Sequence, residues 1–341
     1  MEPAQRGPRI AAPARVRAGR TQRPRGVANN LGTLARRAEE RLGQRVLGQA
    51  EAVLSVARAV RRAAAGLAGQ RGPLATLLFV GPTGTGKTEL ARALAGELGG
   101  PRRLVRIDCG EFGGRHETSR LLGAPPGYVG HEHGGVLTQR LLRGQECVVL
   151  FDEIEKAHRS LHELLLQVLD EGRLTDGRGA VLDFRRAFVI LTSNAGTREL
   201  LAARERLGFG REAGTTEQVA ASGAIVQHAL GAAFAPEFLA RIDEVVLFQE
   251  LAPAKLRALA AQALLDLALR VRASAKRVCF TAGVARWAAE RAAGASGARG
   301  VLHRIRRDIE GPLAEALLAA EAGEWIEVSI RRGRPHFAHA A

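Results

Sequence analysis

"ATLLFVGPTGTGKTEL", residues 75–90, compresses a strand, a loop and the start of a helix into one stretch. Residues 75–80 form a short apolar run of the kind carried by a strand buried on both faces. The run stops abruptly at "GPTGTGKT", residues 81–88, which fits the phosphate-loop spacing G-x-x-x-x-G-K-T. In such a loop Gly81, Gly84 and Gly86 let backbone N–H groups curl around phosphate oxygens, with Pro82, Thr83 and Thr85 between them. The N-terminus of the following helix adds positive potential. Lys87 is spaced to reach the β- and γ-phosphates of a nucleotide, and the Thr88 hydroxyl to ligate Mg2+. A glycine-rich turn without a ligand is the bland alternative. The strand–loop–helix setting weighs against it.

Lysine usage sharpens this assignment. The chain has only four lysines, Lys87, Lys156, Lys255 and Lys276, and otherwise writes arginine, a bias typical of a GC-rich genome. Lysine offers a compact point charge where a forked guanidinium does not fit. Two of the four fall inside motifs. Lys156 belongs to "CVVLFDEIEKAH", residues 147–158, where an apolar run ends in Asp152 and Glu153. Asp152 suits the Mg2+ shell, and Glu153 suits the orientation and deprotonation of an attacking water. Any buried strand can end in acids, so this motif is only moderately specific. Beside the phosphate loop it points to ATP hydrolysis with Mg2+.

Further strand-like runs are "LVRID" (104–108), "AFVILT" (187–192) and "EVVLF" (244–248), with helical patterns such as "SLHELLLQVLD" (160–170) between most of them. Strands alternating with helices predict an α/β unit with a parallel sheet flanked by helices. After Phe248 the pattern turns mostly helical, over 253–270, 282–292 and 299–320, with short strands at "RVCFT" and "WIEVSI". This predicts a large ATPase domain over 46–248, a smaller α+β unit over 249–332 and a basic tail at 333–341. Residues 1–45 read as a Pro/Arg/Ala-rich arm, largely disordered, with one short amphipathic helix. Asn30 would cap that helix, and Leu31, Leu34, Ala35, Ala38 and Leu42 would share one face.

Composition bounds the function. With 341 residues and 46% hydrophobic content the chain can bury a sizeable core. No apolar run of about 18 residues is present, so no membrane span is expected, and the N-terminus lacks the apolar stretch of a secretory signal. Cys109, Cys147 and Cys279 are scattered and read as reduced core residues of a cytosolic protein. The net charge of +15 invites a nucleic-acid reading. Much of the excess, however, sits in the arm, where seven arginines face one acid, Glu2, before Asn29. A solvated arm is the preferred account, with a nucleic-acid site and an organelle transit peptide as alternatives.

"VLGQAEAV", "GPTGTGKTEL", "RLLGAPPGYVGHEHGG", "LFDEIEKAH", "QVLDEGRLTDGRG", "ILTSNAG", "FAPEFLARIDEVV" and "GARGVLHRI" occur in this order. The chain thereby resembles the Clp AAA+ unfoldases, in the C-terminal ATPase module of the ClpA, ClpB and ClpC type with its small lid domain, over about residues 46–330. The resemblance implies an AAA+ P-loop NTPase fold and further roles. Asn194 matches the sensor that polarises the attacking water or γ-phosphate. Arg241 matches the arginine finger that completes a neighbouring subunit's site, which implies a homohexamer. Arg299 matches the lid sensor that touches the phosphates, and Val46 and Leu47 the adenine-side contacts.

The chain's one tyrosine, Tyr128, stands between Gly127 and Gly130 with Val129 beside it. In the family this loop lines the ring's central pore and grips extended polypeptide. Leu207, Gly208 and Phe209 match a tripeptide with which ClpA and ClpC dock the ClpP peptidase. A loop pinned to the core by Leu and Phe would look the same. Ala240, Gly300, His131 and His133 depart from the familiar pattern, and the adaptor domains of familiar Clp proteins are not expected in these 341 residues. The expected function is a Mg·ATP-dependent, single-ring protein unfoldase. A nucleic-acid motor on the same core and an ATP-gated scaffold are the alternatives.

Overall fold

A computed structural model describes residues 28–340 except 70, 115–116, 124–134, 136, 138–140, 142–143, 198, 200–215, 275, 291–296 and 320–324. Ten strands occur among the described residues. Those of the larger unit are β1 (Ala75–Val80), β2 (Leu104–Asp108), β3 (Cys147–Asp152), β4 (Arg173–Thr175), β5 (Val181–Asp183), β6 (Ala187–Ser193) and β7 (Glu244–Leu247). Five of them make a parallel sheet in the order β2-β3-β6-β1-β7, while β4 and β5 form a separate hairpin.

Every residue of β1, β3 and β6 is buried, because both faces of the sheet are covered. Alternation still sorts the side chains. Leu77, Phe79, Leu150 and Ile190 join a core with helices α1 (Ala28–Arg45), α2 (Ala50–Ala64) and α3 (Lys87–Gly99). Leu78, Val80, Phe151 and Leu191 face the other way, toward Leu161, Leu165 and Val168 of helix Arg159–Glu171.

α1 moves the expected boundary at 45/46. It runs for 18 residues from Ala28, so Asn30 lies inside the helix and does not cap it. Leu31, Leu34, Ala38 and Leu42 sit in the same core as Leu77 and Phe79. The helix is therefore a piece of the larger unit, because its apolar stripe has no other place to be buried. Residues 1–27, the rest of the expected arm, lie outside the described residues.

Strand order decides where chemistry can gather. β6 lies between β1 and β3, with Val80 opposite Ser193 and Phe151 opposite Leu191. The C-terminal ends of all three strands thus lie side by side, at the edge where open parallel sheets hold ligands.

The smaller unit packs helices Pro253–Ala273, Ala282–Glu290, Gly297–Ile305 and Gly311–Ala319 on a sheet of β8 (Arg277–Phe280), β9 (Trp325–Arg331) and β10 (Arg334–Ala340). Leu256, Leu264, Trp287, Ile305, Ile326 and Val328 share its core. The expected basic tail at 333–341 is instead a strand as far as Ala340, antiparallel to β9. Its Pro, Arg and His residues hid the alternation, and pairing with β9 supplies what propensity does not. All three cysteines are free thiols, but only Cys109 and Cys147 are buried; Cys279 is exposed on β8, contrary to the core assignment. No helix among the described residues is long and apolar enough to cross a membrane.

Candidate functional site

Gly86 precedes α3 with φ +107, a conformation that residues with a Cβ avoid. That turn lets Lys87 open the helix directly. No side chain caps the helix start, so its first N–H groups remain available to an anion. The Lys87 side chain folds back over the loop. Its Nζ donates to the carbonyl of Gly81, to the carbonyl of Pro82 at 2.9 Å and to Asn194 Oδ1 at 2.8 Å. Burial lowers its pKa to about 8, opposed by the charges of Glu155, Asp152 and Glu153, while Arg299 pushes it further down.

Asp152, at the end of β3, is held from two sides. Its Oδ1 accepts from Thr192 Oγ1 at 2.5 Å, and its Oδ2 accepts from Arg106 Nε at 3.0 Å. A second guanidinium nitrogen of Arg106 lies 2.7 Å from the same oxygen. Thr88 Oγ1 stands 3.4 Å from both carboxylate oxygens, longer than a good O–H···O bond. A hydroxyl and a carboxylate facing each other across such a gap are the hard oxygen donors that Mg2+ takes, so the donor set fits that ion.

Glu153 has φ +59, one of two non-glycine residues with positive φ among the described residues. Its N–H donates to Thr192 Oγ1 at 2.9 Å, which leaves that hydroxyl both donating and accepting. Its carboxylate lies 2.5 Å from Lys156 Nζ, and both side chains are partly exposed. Asn194 follows the last residue of β6, and its N–H donates to Glu155 Oε1 at 3.1 Å.

The smaller unit reaches the loop directly. The Ala298 N–H donates to the Gly84 carbonyl at 3.0 Å, and a Cβ on Gly297 would lie 2.9 Å from that same oxygen. Arg299 is therefore carried on the first turn of helix Gly297–Ile305, which is seated against the phosphate loop. From the other side, Val46 Cγ1 lies 3.4 Å from where a Cβ on Gly86 would stand, and Leu47 follows, half-buried. Gln49 is buried beside them. Its Nε2 donates to the Thr85 carbonyl at 3.1 Å and to the Gln249 carbonyl at 2.7 Å, and its Oε1 accepts from the Gln249 N–H at 3.2 Å.

Arg241, expected to serve a neighbouring subunit's site, pairs through its guanidinium with Asp170 at the end of helix Arg159–Glu171. Gly127, Tyr128, Val129 and Gly130, with His131 and His133, lie outside the described residues, as do Leu207, Gly208 and Phe209. Sequence reasoning missed Arg106, Thr192, Glu155 and Gln49. Arg106 had left one signal, a charged residue between the apolar positions of "LVRID".

A family model described as an AAA domain of the Cdc48 subfamily matches residues 72–245. The chain is 44% identical over 294 residues to the chaperone protein ClpB of Corynebacterium diphtheriae, covering 86% of this chain and 32% of that protein. It is 43% identical over 302 residues to the ClpB of Rhodopseudomonas palustris, covering 87% of this chain and 33% of the relative. The chain thus spans about a third of the length of these relatives. A closed-state cryo-EM reconstruction of Hsp104 with ATPγS and FITC casein matches with a TM-score of 0.77 and 31% identity, over 90% of this chain and 52% of that one.

Proposed function

Because the chain belongs to the AAA+ family, and within it to the Clp group, we propose that it is a Mg·ATP-dependent protein unfoldase working as a ring. The observation that carries the reading is the meeting of Lys87, Thr88, Asp152 and Asn194 where β1, β3 and β6 end. ATP is the substrate, with its phosphates cradled by residues 81–88 and its adenine side at Val46 and Leu47. Mg2+, when bound between Thr88 and Asp152, supplies charge neutralisation at the phosphoryl oxygens. Lys87 exchanges its loop carbonyls for phosphate oxygens. Asn194 orients the water or the γ-phosphate, and Glu153, released from Lys156, takes the proton of the attacking water. Arg299 reaches the phosphates from the lid.

Arg241 completes the site of the next subunit, by neutralising transition-state charge from across the boundary. That role requires an assembly, and a homohexamer is the proposed one. The proposed substrate is polypeptide, gripped by Tyr128 and Val129 on the loop hinged by Gly127 and Gly130. Support comes from the Clp resemblance of that loop and from FITC casein in the matched Hsp104 assembly. Because the matched relatives are bacterial chaperones, a bacterial cytoplasm is the proposed location. Docking of a ClpP-like peptidase at Leu207–Phe209 is the subordinate proposal, since it rests on the resemblance of three residues.

Tyr128→Ala tests the threading reading. Unfolding of a tagged fluorescent reporter is expected to fall at least about tenfold, while basal phosphate release persists. Reporter unfolding at the unmodified rate would favour an ATP-gated scaffold, and strong salt-sensitive stimulation by DNA would favour a nucleic-acid motor.

A further inference from the structure

Glu155 has no part in the chemistry described so far, yet it is built into the site. Glu153 adopts φ 59 and ψ 50, which turns the chain sharply out of β3 into a short 3-10 turn, Ile154–Lys156. A non-glycine residue persists in that conformation only where its surroundings impose it. The turn brings the Glu155 carboxylate back beneath the end of β6. There its Oε1 accepts the Asn194 N–H at 3.1 Å, one residue past the last residue of the strand. The other oxygen, Oε2, is buried and has no hydrogen-bond partner among the described residues. Burying a carboxylate with half its capacity unmet opposes folding, so a structural role alone accounts poorly for it.

The hydrogen bonds form a relay. Glu155 holds the backbone of Asn194, and the side chain of Asn194 accepts from Lys87 at 2.8 Å. We propose that Glu155 is a positioning residue, whose carboxylate fixes the Asn194 backbone so that the Asn194 amide faces Lys87 and the reacting phosphate. The proposal rests on the reading of Asn194 given above. It assigns Glu155 a task separate from that of Glu153: one acid acts on water, and its neighbour two positions on acts on the sensor.

The test compares Glu155→Ala, Glu155→Gln and Asn194→Ala in the full-length protein. Hydrogen exchange at the Asn194 amide, measured without nucleotide, reads the contact directly. In Glu155→Ala that exchange is expected to speed about tenfold or more. The kcat for ATP should fall by about tenfold to a hundredfold, with nucleotide affinity within about threefold. Glu155→Gln keeps an acceptor for the Asn194 N–H, so it should retain amide protection and most of the turnover. Adding Glu155→Ala to Asn194→Ala should lower kcat little further, because both break one relay.

Unimpaired turnover in Glu155→Ala beside a defective Asn194→Ala would overturn the positioning role and leave the site intact. Unimpaired turnover in Asn194→Ala would overturn the site assignment, and with it the premise of the proposal. Should Glu155→Ala not fold, Glu155→Gln still decides. Turnover as low as that of Asn194→Ala with the amide still protected would mean that charge, and not the hydrogen bond, is what matters.

Discussion

Lys87 and Arg241 are two of the cations proposed to act on phosphate, and the fold treats them in opposite ways. Lys87 is buried, and its Nζ donates to the carbonyls of Gly81 and Pro82 and to Asn194 Oδ1. Arg241 is 43% exposed and pairs with Asp170, which is equally exposed. An ion pair between two such side chains contributes at most about 1 kcal/mol, and less once solvent screening is counted. Folding one chain therefore settles the position of Lys87, whereas Arg241 is left on a tether that a stronger anion can break. The contrast suits a site of which one part is fixed by folding and another is completed by assembly.

The largest expected effects lie on the fixed side. Lys87→Ala should abolish measurable nucleotide binding, whereas Glu153→Gln should bind ATP normally and lose phosphate release by about a hundredfold or more. A nucleotide titration and a phosphate-release assay on both variants separate cradle from chemistry. Normal turnover in Glu153→Gln would remove the contrast by removing the site.

A middle-sized effect is expected where the lid touches the loop. Gly297 has φ +48 and no room for a Cβ against the Gly84 carbonyl. Gly297→Val should unseat that turn and raise the KM for ATP about tenfold, with only a small change in melting temperature. An unchanged KM would mean that the lid contact is incidental to nucleotide binding.

The smallest effect belongs to Asp170. Asp170→Ala should change thermal stability by less than about 1 kcal/mol, because the lost pair is exposed. ATP turnover in assembled rings should be undiminished, since Arg241 is expected to leave Asp170 there. A large drop in melting temperature would show Arg241 to be a structural residue and would erase the difference from Lys87.

The fixed side was also the legible side. β1 stood out at residues 75–80 because burial on both faces leaves an unbroken apolar run, and the loop that follows has a spacing that phosphate geometry dictates. Arg106, Thr192 and Glu155 were not legible, because their roles arise from the packing of β2, β3 and β6 side by side. Each makes its partner across about 40 residues of chain. Gln49 spans 200 residues to reach Gln249 and has no local periodicity to announce it. The hairpin of β4 and β5 was missed because strands of three residues carry too little alternation to read. The extent of α1 was underestimated for another reason: its stripe of Leu31, Leu34, Ala38 and Leu42 was seen, but not the core that receives it.

Mixing Arg241→Ala subunits with Lys87→Ala subunits tests the divided site most directly. Each variant alone should hydrolyse ATP poorly, the first for lack of a finger and the second for lack of a cradle, with Arg241→Ala reduced by about a thousandfold. In mixed rings some interfaces join an intact cradle to an intact finger, and turnover should rise well above the sum of the two variants alone. Mixed rings that demonstrably form and yet show no such rise would contradict the claim that Arg241 serves its neighbour.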